Sequence, residues 1–218
     1  MKLFIYCAGG FGTEIMDLAR RVNRLESRWE EICFIDDIRQ GDEYYGAKLL
    51  TFPKVLDSYD INSFEISIAN GEPFTRKDLC DKINNAGIKL ATLIDNTAIV
   101  SPTAKLGAGV TVSAYCFVSS LAIVQGNTIL NTDALVGHDV NIAQNCVLSS
   151  AVNIGGNCSI GENTYIGMGS QIKEETTIGK GVIIGMGSIV HSDIPDGMIA
   201  LGNPARPMRR NEDKKVFK

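Results

Sequence analysis

From Val100 the chain repeats every six residues: Val100, Leu106, Val112, Val118, Val124, Leu130, Val136, Ile142, Leu148, Ile154, Ile160, Ile166, Ile172, Ile178, Ile184 and Val190. All sixteen positions are Val, Ile or Leu, with no insertion between them. Four residues after each comes a small or β-branched side chain, from Ala104, Val110 and Cys116 through to Thr176, Val182 and Ser188. One large and one small inward residue per hexad describes a triangular parallel β-helix. Each hexad gives one short strand and one turn, and three hexads close a coil. The aliphatic residues fill the prism, and the small ones fit where its walls converge. Gly107, Gly137, Gly155, Gly161, Gly167, Gly179 and Gly185 follow aliphatic positions and are expected to supply positive φ at the turns. Cys116, Cys146 and Cys158 fall on small inward positions and are expected to be packing residues.

Residues 1 to about 95 lack this period and alternate between strand and helix patterns. Leu3-Phe4-Ile5-Tyr6 reads as a strand, and the turn Cys7-Ala8-Gly9-Gly10-Phe11-Gly12 opens a helix with the stripe Ile15, Leu18, Ala19 and Val22. A second strand, Ile32 to Ile35, ends in Asp36-Asp37. Pro53 belongs in the first turn of a helix. Phe64 to Ala69 reads as a strand, a helix around Leu79, Ile83 and Ala86 stops at Gly87, and Ile88 to Ile94 reads as one further strand. This is a Rossmann-like mononucleotide-binding half. The glycine turn offers backbone N–H groups and a helix dipole to a phosphate, and Asp36 or Asp37 could accept from a ribose or a base. Cys7 stands where the first glycine of the usual fingerprint falls, so a plain strand-to-helix turn without a ligand remains open. The segment is too short for the second half of a dinucleotide fold.

Composition removes several classes. A chain of 218 residues with 44% hydrophobic and 21% charged side chains can bury a core in one or two domains. The 25 acidic and 21 basic residues give a net charge of −4, the wrong balance for phosphate neutralisation along a nucleic acid. No apolar run approaches the roughly 18 residues of a membrane span. Met1 to Tyr6 is too short for a signal peptide. The six cysteines form no CxxC pair and do not cluster with histidine, so neither a zinc site nor a disulfide scaffold is expected. A soluble, cytoplasmic, metal-free protein is expected.

Only His138 and His191 can supply imidazole chemistry. His138 follows Val136 by two residues, at an outward corner, and Gly156 comes one 18-residue coil later on the same face. Coils stack about 4.8 Å apart, so a base and a glycine N–H lie close enough to deprotonate a nucleophile and hold an oxyanion. Asp139 would fix the tautomer of His138 and raise its basicity. His191, three coils on and roughly 14 Å away, reads as a surface residue. Two histidines also argue against a three-histidine zinc site.

Several motifs together resemble one family. Gly9-Gly10-Phe11-Gly12, Phe34-Ile35-Asp36-Asp37, Asn131-Thr132, Val136-Gly137-His138-Asp139 and Gly202-Asn203-Pro204-Ala205 are similar to the two-domain hexapeptide-repeat acyltransferases of bacterial sugar biosynthesis. That family includes PglD-type nucleotide-linked amino-sugar N-acetyltransferases and NeuD-type sialic acid O-acetyltransferases. The resemblance implies a Rossmann-like nucleotide-sugar domain at 1–95, a left-handed β-helix acyltransferase domain at 96–205 and a basic tail at 206–218. It implies acetyl-CoA as co-substrate, a homotrimer with sites between neighbouring β-helices, and His138 as general base assisted by Asp139. Gly9, Gly10, Phe11, Asp36, Asp37 and Asn70 would hold the nucleotide end, while Ser149, Gly156, Met168 and Met186 match the CoA groove. Val147 stands where many members carry a second histidine, Gly137 replaces a common acid, and Ala69 a frequent glycine. The expected reaction is N-acetylation of a nucleotide-linked, 4-amino-dideoxy type sugar by direct attack, with the N–H of Gly156 holding the oxyanion. O-acetylation of a sialic acid-type sugar is the enzymatic alternative, and a trimeric scaffold without catalysis is the non-enzymatic one.

Overall fold

The computed structural model describes residues 1–217. Its front part is a six-stranded sheet in the order β3-β4-β2-β1-β5-β6. The strands are β1 (Lys2–Tyr6), β2 (Glu31–Ile35), β3 (Glu43–Tyr44), β4 (Ala47–Leu50), β5 (Phe64–Ile68) and β6 (Lys89–Leu90). All neighbours are parallel except the β3–β4 hairpin. Side chains alternate across the sheet, as the two-residue period of a strand requires. Leu3 and Ile5 face helix α1 (Gly10–Glu26), which buries Ile15, Leu18, Ala19 and Val22 as expected. Phe4 and Tyr6 face the opposite side, with Val55 of α2 (Phe52–Ser58) and Ile83 of α3 (Pro73–Asn85). Pro53 lies in the first turn of α2, where the Thr51 side chain accepts from the Lys54 N–H. Gly87 takes φ +73° just past α3.

The single strand expected over Ile88–Ile94 is two strands in different sheets. β6 ends at Leu90, and β7 (Leu93–Ile94) pairs with Thr111–Val112 of the β-helix. The Ala91 N–H still bonds to Ile66 of the front sheet, whereas the Leu93 N–H bonds to Val110 of the first coil. Transfer between the two bodies takes two residues. The strand pattern runs through the junction because Ile88, Ala91 and Leu93 are all buried, which hides the change of partner.

The remainder is a parallel β-helix with three faces. The first stacks β7, Thr111–Val112, Ile129–Leu130, Val147–Leu148, Tyr165–Ile166 and Ile183–Ile184. The second runs from Ile99–Val100 to Ile189–Val190, and the third from Lys105–Leu106 to Thr177–Ile178. Every pairing between these strands joins residues 18 apart, as in Val136 with Ile154, and only above them do Ile178 with Ile194 and Ile183 with Ile199 pair at a spacing of 16. The aliphatic series from Val112 to Val190 is buried, and so is the small series from Val110 to Ser188, cysteines included. Each aliphatic side chain so buried contributes about 1.5–3 kcal/mol. Val100 and Leu106, in the first coil, are only half-buried. The top is closed by an antiparallel hairpin, Met198–Gly202 with Ala205–Arg210. Among the described residues, no helix is long and apolar enough to cross a membrane.

The glycines after the aliphatic positions have a different purpose from the one expected. The positive-φ positions lie two residues later, at Tyr115, Leu121, Asn127, Asp133, Asp139, Asn145, Ala151, Asn157, Asn163 and Glu175, with glycine only at Gly109, Gly169, Gly181 and Gly187. At Gly107, Gly137, Gly155, Gly161, Gly167, Gly179 and Gly185 an added Cβ would lie under 3.0 Å from the next layer. These residues let adjacent turns touch. Gly161→Ala is therefore expected to destabilise the β-helix by about 1–3 kcal/mol through overpacking. Asp133→Gly, at an exposed residue with φ +62°, should stay within about 0.5 kcal/mol of the parent. Urea unfolding of both variants checks the distinction. Equal losses would return the glycines to a turn role.

Candidate active site

The turn after β1 brings the front body against the first face of the β-helix. Helix α1 begins at Gly10 with no side-chain cap on its N-terminus and no acid in its first turn. Among the described residues, no side chain therefore caps its free N–H groups and positive dipole end. A Cβ on Gly9 or Gly10 would meet nothing within 4 Å, whereas one on Gly12 would collide with the Cys7 carbonyl oxygen. Gly12 closes the turn, and Gly9 and Gly10 leave room in front of it. Cys7 adopts φ +85°, the left-handed half of backbone space, at the place of the fingerprint's first glycine. In front of this turn lies a cavity of about 460 Å³.

The cavity joins some expected residues with others that sequence reasoning missed. Gly9, Gly10, Phe11, Asn70 and Ser149 all line it. Asn131, Val147 and Tyr165 add the β-helix wall, and Gly71, Glu72 and Phe217 complete the rim. Asn131 lies 18 residues before Ser149, and Val147 pairs with Tyr165, so the coil period was the signal available for this wall.

Asp36 and Asp37 do not line the cavity. Asp36 accepts from the N–H groups of Ala8 (2.7 Å), Ile38 (2.9 Å) and Arg39 (2.9 Å). Burial alone would raise its carboxyl, but these three donors outweigh it and hold the pKa below the usual value. Asp37 accepts from the Tyr6 hydroxyl (2.5 Å), Lys82 Nζ (2.8 Å) and the Phe52 N–H (2.8 Å). Burial again acts upward, and the Lys82, Tyr6 and Phe52 donors prevail, so this carboxyl too is lowered. Both acids brace the loops beside the glycine turn with protein donors.

Asn70 is held from behind. The fully buried Arg76 donates to the carbonyls of Ile68 (2.7 Å) and Asn70 (3.1 Å) from Nη1. Its Nη2 donates to the backbone carbonyl (2.8 Å) and the side-chain oxygen (2.7 Å) of Asn127 in the β-helix. The Asn70 amide in turn faces Cys7 Sγ at 3.7 Å, and its Oδ1 accepts from the Glu72 N–H. One guanidinium thus joins the cavity loop to the coil. As a helical arginine it carried no sequence signal.

His138 lies elsewhere, at the corner after the second face, and does not line the cavity. Its Nδ1 lies 2.9 Å from Asp139 Oδ2, and its ring covers Gly156, where a Cβ would fall 2.6 Å from Nε2. Among the described residues, the Gly156 N–H has no acceptor in the chain. An imidazole with an oriented ring, an open face and a free amide beneath it has the geometry to accept a proton beside an oxyanion. Met168 and Met186 are exposed at the other corner, after the first face. The chain therefore brings Ser149 to the glycine turn, not to His138. His191, beside the topmost strand of the second face, is three coils from His138. The thiols do not compete as nucleophiles: burial pushes Cys146 up to about 12 and Cys116 to about 11.

The PglD N-terminal domain family matches residues 2–83, and the bacterial transferase hexapeptide family (six repeats) matches residues 157–192. The acetyltransferase domain of PglB from Neisseria gonorrhoeae is 34% identical, with 95% of this chain and 99% of that one covered and a TM-score of 0.88. The chain belongs to the PglD-type hexapeptide-repeat acyltransferase family. Perosamine N-acetyltransferase from Caulobacter crescentus, as a point mutant with CoA and GDP-perosamine, is similar at 26% identity. There the match covers 96% of this chain and 97% of that one, with a TM-score of 0.88. WeeI from Acinetobacter baumannii, at 27% identity over 95% of this chain and 100% of that one, also gives 0.88. In this PglD-type chain the acid loop beside the glycine turn makes a pH prediction. The folded pKa of Asp37 lies below its unfolded value near ~3.9, so its stabilisation is present above that pH and is lost as pH falls through the folded value. Asp37→Asn should be less stable than the parent at pH 7, with the gap closing towards pH 3, as read by urea unfolding. A gap independent of pH would show that the ionised carboxylate is not what stabilises.

Proposed function

We propose that the chain is a cytoplasmic, acetyl-CoA-dependent N-acetyltransferase acting on the amine of a nucleotide-linked sugar of the 4-amino-dideoxy class. The carrying observation is the His138–Asp139 pair standing over the side-chain-free Gly156. The PglB acetyltransferase domain binds acetyl coenzyme A, and the Caulobacter enzyme binds CoA with GDP-perosamine. Those two ligands together describe the donor and the acceptor. The diphosphate belongs at the α1 N-terminus, in front of Gly9 and Gly10, with Phe11 and Asn70 beside it. Asp36 and Asp37 serve it through the shape of the turn.

His138 takes a proton from the sugar ammonium, with Asp139 holding the imidazole in orientation. The neutral amine attacks the thioester carbonyl, and the N–H of Gly156 receives the oxyanion. Collapse breaks the carbon–sulfur bond, and the nitrogen's second proton leaves with the thiolate as CoA-SH. No covalent enzyme intermediate is required. Because His138 is absent from its own chain's sugar-nucleotide cavity, the reading includes a homotrimer in which a neighbour supplies the base. Ile99, Phe117 and Leu135 stack as exposed apolar residues on the second face, next to His138, and favour such an interface. Met168 and Met186 of one copy would then flank the CoA arm opposite Gly156 of the next.

His138→Asn should lower kcat by about 10²–10⁴-fold, whereas His191→Asn should leave it unchanged. Steady-state kinetics with acetyl-CoA, a thiol reagent and a 4-amino sugar nucleotide provide the measurement. Full turnover by His138→Asn would remove the base. Co-expression of His138→Asn with Gly10→Ala, each weak alone, should restore activity if sites combine two copies. No recovery would place the whole site within one chain.

A further inference from the structure

The last described residues form a strap from the β-helix back to the front body. The Asn211 N–H donates to Gly197 (2.7 Å) and its Nδ2 to Gly181 (3.0 Å), which anchors the strap's start at the top coils. At its far end, Glu72 Oε2 accepts from the Val216 N–H (2.8 Å) and Oε1 from the Phe217 N–H (2.7 Å). Both oxygens of one carboxylate thus grip two consecutive amides. Between the anchors, Asp213 and Lys215 share a cavity of about 420 Å³ with Ile183 and Ile199, so the middle of the strap spans a gap.

The latch puts an aromatic ring in a specific place. Phe217 meets Tyr165 edge to face, with centroids 5.7 Å apart at 84°. A Cβ on Gly71 would lie 3.2 Å from the ring, so a glycine there is what admits it. Phe217 nevertheless stays 55% exposed, and it lines the same cavity as Gly9, Gly10 and Asn70. An apolar ring held at a cleft with one side open gains most by covering a flat or apolar ligand surface. We infer that residues 211–217 are a strap over the sugar-nucleotide cleft, and that Phe217 is a substrate-binding wall facing the glycine turn. Glu72 is the residue that positions it. This rests on the nucleotide-sugar reading of the cavity and adds the wall opposite the phosphate cradle.

Calorimetric titration with UDP-N-acetylglucosamine, dTDP-glucose and GDP-mannose tests the strap. The full chain, Phe217→Ala, Phe217→Tyr, Glu72→Gln and a chain ending at Lys215 would be compared. At least one probe should bind the full chain. Phe217→Ala and the shortened chain should bind that probe about tenfold more weakly, and Phe217→Tyr within about twofold. Acetyl-CoA affinity should stay constant throughout. Glu72→Gln has one acceptor for two amides, so hydrogen exchange at Val216 and Phe217 should accelerate while probe affinity falls as in the shortened chain. Unchanged affinity in Phe217→Ala would remove the wall and leave the nucleotide-sugar reading intact. A full chain that binds none of the three probes would overturn that reading and the wall with it.

Discussion

From Leu93 to Val190 each turn of the coil returns to its starting edge after 18 residues. The hydrogen bonds between coils enforce this, since each strand here is two residues long and pairs with strands 18 residues before and after it. A one-residue insertion would move an aliphatic side chain out of the prism and a polar one in. The unbroken count from Val100 to Val190 is the condition on which the other features depend. It stacks His138 over Gly156, puts Asn131 in line with Ser149, and sets Asn127, Asn145 and Asn163 in a ladder. Close contact between turns follows too, because the glycines after the aliphatic residues remove the Cβ atoms that would keep coils apart.

That asparagine ladder is where the two bodies meet. Asn127 takes Arg76 on its oxygens and gives its amide to the Arg76 carbonyl and to Asn145, which passes the pattern on to Asn163. Among the described residues no carboxylate pairs with this buried guanidinium, which makes it costly, and burial pulls its pKa down. It is tolerated because carbonyl oxygens from both bodies take its donors. Removing it would strand the carbonyls of Ile68, Asn70 and Asn127, at about 1–3 kcal/mol for each that water does not reach. The interaction that docks the front sheet also fixes the loop carrying Asn70, so the cavity's shape and the interdomain contact are one structural decision.

The β-helix was legible because its information is local and repeated: six residues predict the next six. The glycine turn and α1 were legible for a related reason, since a short apolar strand followed by Gly9, Gly10 and Gly12 has few alternatives. The β3–β4 hairpin was not. Its turn residues, Tyr45 and Gly46, both take positive φ, a conformation usually announced by Asn-Gly or Asp-Gly. The split of Ile88–Ile94 was hidden because pattern reports burial and not partner. Asp36 and Asp37 stand in the loop beside the glycine turn, and their hydrogen-bond partners depend on Lys82 and on the start of α2, which sequence spacing does not place. Phe217 and Glu72 are 145 residues apart, and no periodicity links them.

The separation of the two halves of the site has a geometric consequence for the proposed assembly. The cavity at the glycine turn belongs to the first face, while His138 stands at the corner between the second and third. A twofold dimer uses one patch on both copies, so the corner bearing His138 and the cavity would both have to lie within that single patch. Cyclic threefold packing instead pairs unlike patches, so the corner bearing the base in one chain can meet the cleft of the next. In the proposed assembly, the residues expected along the CoA arm divide between two corners. Met168 and Met186 lie at one and Gly156 at the other, and a groove between two prisms needs a wall from each.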